Sequence, residues 1–560
     1  MNTKSTVERV FQFIGKWPRR KSKPWRPEPK GSGALSEVRL SPPFVKDLEA
    51  PLLKLGRQTF FTLRDACSGV HVFGAIGSGK TTGAGAALAG AYLRAGAGGI
   101  ITVAKPEDIL LWKHYAEKHG RSDSLIFFDE HECFNFLDYE LARQGMDGIG
   151  SVVEFIMRII EAARHASSTG SSRGGDVFWS DSGREGLRYA IPMIYAAQGS
   201  LSIADIIRFI TTAPTHVSMP TNPEWQARSF MYKIANQALN TPKVPMTRAA
   251  AENAIRYWSE RWPAVPDKTR GNIVATITTA LDRFMHGRLQ RAFCGRTTLV
   301  PELTFHGAII VLAMPTLTWN EDGIIAQQLF KFAWQRAVLS RNSLAEEHRE
   351  RPVFAFSDEA QETVNSFDFE YQSLCRASKA CTVYMTQSLP TYYAKIGGDN
   401  PRDAAHALVG KFATNIFHSN ACPDTNEYAS RVIGKVITRR GTASTGTSRS
   451  VSRGMSVGSS ETSSFSYSSG ASGDQGNYSA SDSVSFGRNW SENRGRSTGE
   501  STSQGYTESM ENLIEPGDFA RDLKCGGAEN GKIVTGVWFQ AGRAFKASAT
   551  NALYVRFKQS

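Results

Sequence analysis

Gly74-Ala75-Ile76-Gly77-Ser78-Gly79-Lys80-Thr81 is the stretch from which the fold follows. It fits G-x-x-x-x-G-K-[ST] at every fixed position. The run before it, 69–76, reads as a strand, and the Ala-rich run after it, 82–94, reads as a helix. Strand, Gly-rich turn and helix are the context in which backbone N–H groups and a helix N-terminus cradle phosphate. Gly74, Gly77, Ser78, Gly79, Lys80, Thr81 and Thr82 are therefore the predicted nucleotide-binding set, with ATP and Mg²⁺ as the expected ligands. Lys80 is expected to reach the β- and γ-phosphates and Thr81 to ligate the metal.

Such a loop needs a carboxylate for the metal shell. Arg351-Pro352-Val353-Phe354-Ala355-Phe356-Ser357-Asp358-Glu359 supplies one at the end of an apolar, strand-like run. Ligands bind at the C-terminal ends of strands in open α/β sheets. Asp358 is thus the second predicted metal ligand, and Glu359 the predicted general base for the attacking water. A second apolar run, Cys381 to Thr386, ends in Gln387, a candidate contact to the γ-phosphate or to that water; the plainer alternative is a turn glutamine. Arg376 lies between the two runs. It reads either as a finger reaching a neighbouring subunit's nucleotide or as an ordinary surface arginine, with Arg270 as its rival.

Around these motifs strand-like and helix-like runs alternate over 41–135, which implies a parallel sheet. The strand signal fades over 136–265, where 152–163, 183–197, 203–211, 224–240 and 247–262 read as helices. It returns at 308–314, 353–357, 381–386 and 414–418. The expectation is an α/β, RecA-like motor in two parts, 41–135 and 266–440, interrupted by an all-α insertion at 136–265. Residues 441–510 are roughly a third serine, with much Gly and Thr. Low apolar content predicts disorder in the isolated chain, while short alternations such as Ser464-Phe465-Ser466-Tyr467-Ser468 leave a β-ribbon open. Residues 511–560 close with strand-like runs at 532–539 and 552–557, expected to rejoin the motor sheet.

The chain has 560 residues, 41% hydrophobic and 21% charged, a globular composition too long for one core. Its net charge of +12 fits a polyanionic partner, nucleic acid or an anionic membrane, though solubility alone is the plainer reading. Seven scattered cysteines without a CxxC pair argue against a disulfide framework or zinc site and for a reducing cytoplasm. No run reads as a membrane span or a signal peptide. Residues 1–40 read as a short amphipathic helix, Val7, Phe11, Ile14 and Trp17, followed by a basic linker. This is either a solvated tail or a helix giving peripheral attachment to the inner membrane.

The order of P-loop, helical insertion, Asp-Glu strand, arginine and Thr-Gln-Ser strand end resembles the TraG/TraD-type coupling proteins of conjugation and type IV secretion. Further text is similar: Cys133-Phe134-Asn135-Phe136-Leu137, Asp176-Val177-Phe178-Trp179, 269–284 and Leu513-Ile514-Glu515-Pro516. The resemblance covers roughly 65–435 and 510–545. It implies a RecA-like motor in a homo-hexameric ring that pumps DNA, single- or double-stranded, or a relaxase–DNA complex, toward a type IV secretion channel. It also implies that the helical domain selects the substrate. Two features depart from that pattern. The transmembrane helices that usually open such chains are not seen, and Val103-Ala104-Lys105-Pro106-Glu107 lacks the aspartate of an Asp-x-Lys-x-Glu stretch. The expected function is an ATP-driven translocase. The rivals are an FtsK/HerA-type ring translocase and an ATP-gated assembly or adaptor protein.

Overall fold

The computed structural model describes residues 42–166, 175–396, 400–450, 463–466, 481–487 and 497–559. The N-terminal helix and basic linker expected at 1–40 lie outside them. The chain divides into two compact units, Met1–Thr425 with Asp522–Ser560, and Asn426–Arg521.

In chain order the strands are β1 (Pro51–Gly56), β2 (Thr59–Thr62), β3 (Val70–Phe73), β4 (Gly98–Thr102), β5 (Leu125–Phe128), β6 (Ile309–Leu312), β7 (Val353–Ser357), β8 (Ala380–Thr386) and β9 (Thr414–Phe417). After them come β10 (Lys435–Ser450), β11 (Ser463–Ser466), β12 (Ser481–Gly487), β13 (Ser497–Asn512), β14 (Ile533–Gln540) and β15 (Ala552–Lys558). The first unit is built on a nine-stranded sheet of order β15-β14-β9-β3-β8-β7-β4-β6-β5. From β9 to β5 all pairings are parallel; β14 and β15 add an antiparallel edge. Strands covered on both faces should be apolar throughout. β3, β6, β7 and β8 are buried at every residue. Small residues in helix Ala86–Arg94 let it lie close on the sheet, and Leu88, Ala89, Tyr92 and Leu93 are buried there.

From Phe136 to Phe293 the described chain is helical. Helix Gly175–Gln198 packs against helices Ile149–Ala166, Phe230–Asn240 and Asp267–Asp282. Phe209, Trp258 and Trp262 fill the space between them, with ring centroids 5.3 and 5.0 Å apart. The helix expected over 224–240 is two, Pro223–Arg228 and Phe230–Asn240. Ser229 stands between them in extended conformation and accepts the Tyr232 N–H, so a capping hydroxyl breaks an otherwise helical pattern. Helix Glu321–Ser340 is buried along most of its length and packs on Ile149–Ala166.

Within 441–510 the described residues, 441–450, 463–466, 481–487 and 497–510, are strands, which departs there from the expectation of disorder and takes up the β-ribbon left open; the rest of the range lies outside the described residues. β10 and β13 pair antiparallel over sixteen residues without a register break, from Lys435 opposite Asn512 to Ser450 opposite Ser497. β12 pairs with β13 and β11 with β12. The pairing is a backbone ladder, in which every residue can take part whatever its side chain. At the ribbon's base, Arg439 Nε donates to Glu508 Oε1 at 2.6 Å, and the exposed Ile437 lies opposite the exposed Met510.

Candidate nucleotide site

The strand order builds the site. β8 lies between β3, which carries the P-loop, and β7, which carries Asp358 and Glu359. The three parallel strands end together, so residues distant in sequence meet at one edge. The P-loop turns there on two glycines in the left-handed region, Gly77 at φ 76° and Gly79 at φ 83°. At Gly79 space is also short: a Cβ would stand 2.5 Å from Val534 of β14. Both demands exclude a side chain. After the loop the helix opens on a wide π-type turn, Thr81–Gly85, with the Gly85 N–H donating to the Lys80 carbonyl at 2.8 Å.

Lys80 and Thr81 meet the carboxylates predicted for them. Lys80 Nζ donates to Glu359 Oε1 at 2.9 Å and lies 3.8 Å from Asp358 Oδ1. Thr81 Oγ1 donates to Asp358 Oδ2 at 2.6 Å. Gln387 Nε2 reaches the Glu359 carboxylate at 3.3 and 3.5 Å. Burial pushes the Asp358 carboxyl up, more than the Lys80 charge and the Thr81 hydroxyl bring it down. Burial also pushes Glu359 up, but the Lys80 ammonium and hydrogen bonds from Gln361, Lys80 and Gln387 outweigh it and hold this carboxyl below its ordinary range. Adjacent carboxyls are thus driven apart: Asp358 by desolvation, Glu359 by its donors.

Two observations fit a phosphate in the cradle. Ser78 Oγ is buried and, among the described residues, has no hydrogen-bond partner. A Cβ at Gly74 would stand 2.4 Å from that same oxygen, so the loop closes tightly around it. The oxygens of Asp358 and Glu359 hold Lys80 where phosphate oxygens would. Thr81 and Asp358, one hydroxyl and one carboxylate in contact, are an all-oxygen pair suited to a hard divalent cation. Thr82 is exposed, and its hydroxyl accepts from Gln559 Nε2 at 2.7 Å, just beyond β15.

Neither candidate arginine joins the cluster. Arg376 is exposed in the turn Cys375–Ser378, which leads into the N-terminal end of β8. The seven residues of β8, roughly 20 Å of strand, separate it from the edge that carries Lys80. Arg270 is buried in helix Asp267–Asp282, donating to the Pro263 and Val265 carbonyls and to Asp267. Its donors serve local carbonyls.

Other residues of the site went unread in the sequence. Gln361 donates to the Glu359 carboxylate, and Thr386 reaches the cluster through Gln361. Asp108 accepts the N–H groups of Ala104 and Lys105 and lines a small cavity with Thr81, Tyr115 and Asp358. Burial and the nearby Asp358 charge push the Asp108 carboxyl up. An acidic residue after β4 was visible, but only the helix Pro106–Lys118 turns it toward Thr81.

Residues 352–471 match the family model for the TraM recognition site of TraD and TraG. No curated protein matches the chain at a significant level. Among solved structures, the bacterial conjugative coupling protein TrwBdeltaN70, trigonal form in complex with sulphate, matches with TM-score 0.51 and 13% identity, covering 94% of this chain and 93% of that one. Plasmid coupling protein TrwB in complex with the ATP analogue ADPNP matches with TM-score 0.50 and 14% identity, covering 94% of this chain and 92% of that one. At these identities the likeness is one of fold. Residues 352–471 thus resemble the TraD/TraG segment, and the fold is similar to that of TrwB.

Proposed function

We propose that the chain is an ATP-hydrolysing motor of the coupling-protein kind, which drives DNA or a relaxase–DNA complex toward a type IV secretion channel. The observation that carries the hydrolytic part is the convergence of Lys80, Thr81, Asp358, Glu359 and Gln387 at one sheet edge. ATP binding gives Lys80 phosphate oxygens in place of Glu359. The freed Glu359 carboxylate takes a proton from water as the water attacks the γ-phosphorus and the bond to the bridging oxygen breaks, leaving ADP and phosphate. Gln387 orients that water. Thr81 and Asp358 would hold Mg²⁺, which when bound neutralises charge on the phosphate oxygens.

The motor of this proposal comprises residues 41–135, 266–440 and 511–560, with the helical block 136–265 and the insertion 441–510 between its parts. The wider assignment rests on the family segment and on the net charge of +12. It includes a homo-hexameric ring, partner recognition by the segment 352–471, and a cytoplasmic location with at most peripheral contact with the inner membrane. Among the described residues no single helix is long and apolar enough to cross a membrane. The ring would take Arg376 as the group one subunit offers to the nucleotide of the next, since it is too far from its own.

The test has two arms. Glu359→Gln should bind ATP yet turn it over about 10²- to 10⁴-fold more slowly, the range a positioned general base contributes. Wild-type turnover should rise on adding DNA, with binding that weakens steeply with salt. Normal turnover in Glu359→Gln removes the general-base assignment. Absence of DNA binding at low salt with ATP analogue present removes the translocase and favours an ATP-gated adaptor.

A further inference from the structure

Gln361 is two residues beyond Glu359 and is buried at 5% exposure. Both ends of its amide are engaged. Nε2 donates to Glu359 Oε2 at 2.9 Å, and Oε1 accepts from Thr386 Oγ1 at 2.8 Å. Turning the amide over would set its oxygen against the Glu359 carboxylate, which can only accept, so its orientation is set. Thr386 is the last residue of β8 and is wholly buried, and its carbonyl accepts the Gly74 N–H, the first of the P-loop, at 3.2 Å. Glu359 itself sits in the left-handed region at φ 55°, an uncommon conformation for a non-glycine residue that the surroundings must hold. Lys80 and Gln387 approach its Oε1, and Gln387 also approaches Oε2 at the longer distance of 3.5 Å. The short bond to Oε2 is the one from Gln361.

The two carboxylate oxygens of Glu359 therefore have different roles. Oε1 is held by Lys80, the cation that must turn to phosphate when nucleotide binds. Oε2 is held by an amide that no phosphate displaces. Resting on the hydrolysis reading above, we infer that Gln361 is a positioning residue: it fixes Glu359 by Oε2 and leaves Oε1 free for the attacking water once Lys80 has changed partners. Through Thr386 the same amide ties the base to the strand that starts the P-loop, so cradle and base keep register when Lys80 lets go. Gln361 does not touch the reacting atoms and acts only through Glu359.

The experiment compares Gln361→Leu, Thr386→Val, Thr386→Ser, Glu359→Gln and the Gln361→Leu/Glu359→Gln double variant of the full chain. It measures steady-state ATP turnover, binding of a non-hydrolysable ATP analogue and thermal melting. Gln361→Leu should lower kcat about 10- to 100-fold, a share of what a general base supplies, with analogue affinity within about twofold of wild type. Thr386→Ser, which keeps the hydroxyl, should turn over faster than Thr386→Val. The double variant should be no slower than Glu359→Gln alone, because a residue that acts through the base adds nothing once the base is gone. A residue needed only for stability would lower melting and analogue binding together and would add its loss in the double variant; that result overturns the inference. So does a Gln361→Leu chain with wild-type kcat. A wild-type chain that binds the analogue but shows no turnover overturns the hydrolysis reading and this inference with it.

Discussion

The edge of the nine-stranded sheet and the Ser-rich ribbon are opposite ways of ordering a polar sequence. At the edge, Lys80, Asp358, Glu359, Gln361 and Gln387 are interlocked side chain to side chain, Lys80 and Gln361 buried and the other three half-buried, with Asp358 shifted up by desolvation and Glu359 held down by its donors. In the ribbon, order resides in the main chain: sixteen consecutive pairs between β10 and β13, with the ion pair Arg439–Glu508 largely exposed to water. An exposed pair of that kind contributes about 0–1 kcal/mol. Polarity of composition therefore does not separate order from disorder. What matters is whether donors and acceptors find partners, through a fixed cluster in one case and a long register in the other.

Among the described residues Lys80 is the cation at the edge, and the second one proposed for hydrolysis would come from another subunit. Arg376→Ala should leave ATP binding nearly intact and slow turnover by about 10³-fold or more, as arginine fingers do. Mixing Arg376→Ala subunits with Lys80→Ala subunits should restore part of the activity that neither has alone. If mixed oligomers form and stay inactive, the cross-subunit role fails and the edge is complete within one chain.

Buried histidines near this edge predict a pH response that the ribbon lacks. His71 in β3 and His418 after β9 are wholly buried; desolvation lowers their pKa values to about 3 and about 4. Their folded values lie below the ordinary one of about 6.5, so the unfolded chain binds more protons between. Stability should fall as pH drops below about 6.5, by about 1.4 kcal/mol per unit for each histidine, down to the folded values. Calorimetry from pH 7 to pH 5 measures the slope. His71→Gln with His418→Gln should flatten it, and an unchanged slope would place the protonation elsewhere.

Gly79→Ala tests how tightly the edge is built. The left-handed φ and the contact with Val534 together should cost about 2–4 kcal/mol in urea unfolding. Gly271→Ala, in a helix with open space around it, should be neutral or gain up to about 1 kcal/mol. The smallest effect is expected from the ribbon. Replacing residues 441–506 with a short turn should move the melting temperature of the first unit by no more than about 2 °C and leave ATP turnover within about twofold, because Asn426–Arg521 is a compact unit of its own. A large loss in either would mean that the two regions are coupled and that the contrast between them is false.

Much of this protein is legible one segment at a time. The P-loop follows from eight residues, because glycine at 77 and 79 and a helix start at Thr81 are local demands. The apolar runs that became β7 and β8 were readable because strands buried on both faces tolerate little else. In the Ser-rich stretch composition favoured disorder and only left a ribbon open, because composition reports apolar content, while the described strands rely on main-chain pairing between residues up to 77 positions apart, Lys435 with Asn512. What only the tertiary structure decided is the order of strands. Parallel pairing joins segments with no local signal for one another, so nothing in the sequence around Lys80 says that β8 slips in between it and β7. That insertion brings Lys80 to Glu359 across 279 residues, aims Gln387 and Gln361 at the same carboxylate, and leaves Arg376 at the far end of its strand. Residue types with the right chemistry were written along the chain; which of them share one edge was settled by non-local strand pairing and the burial that rewards it.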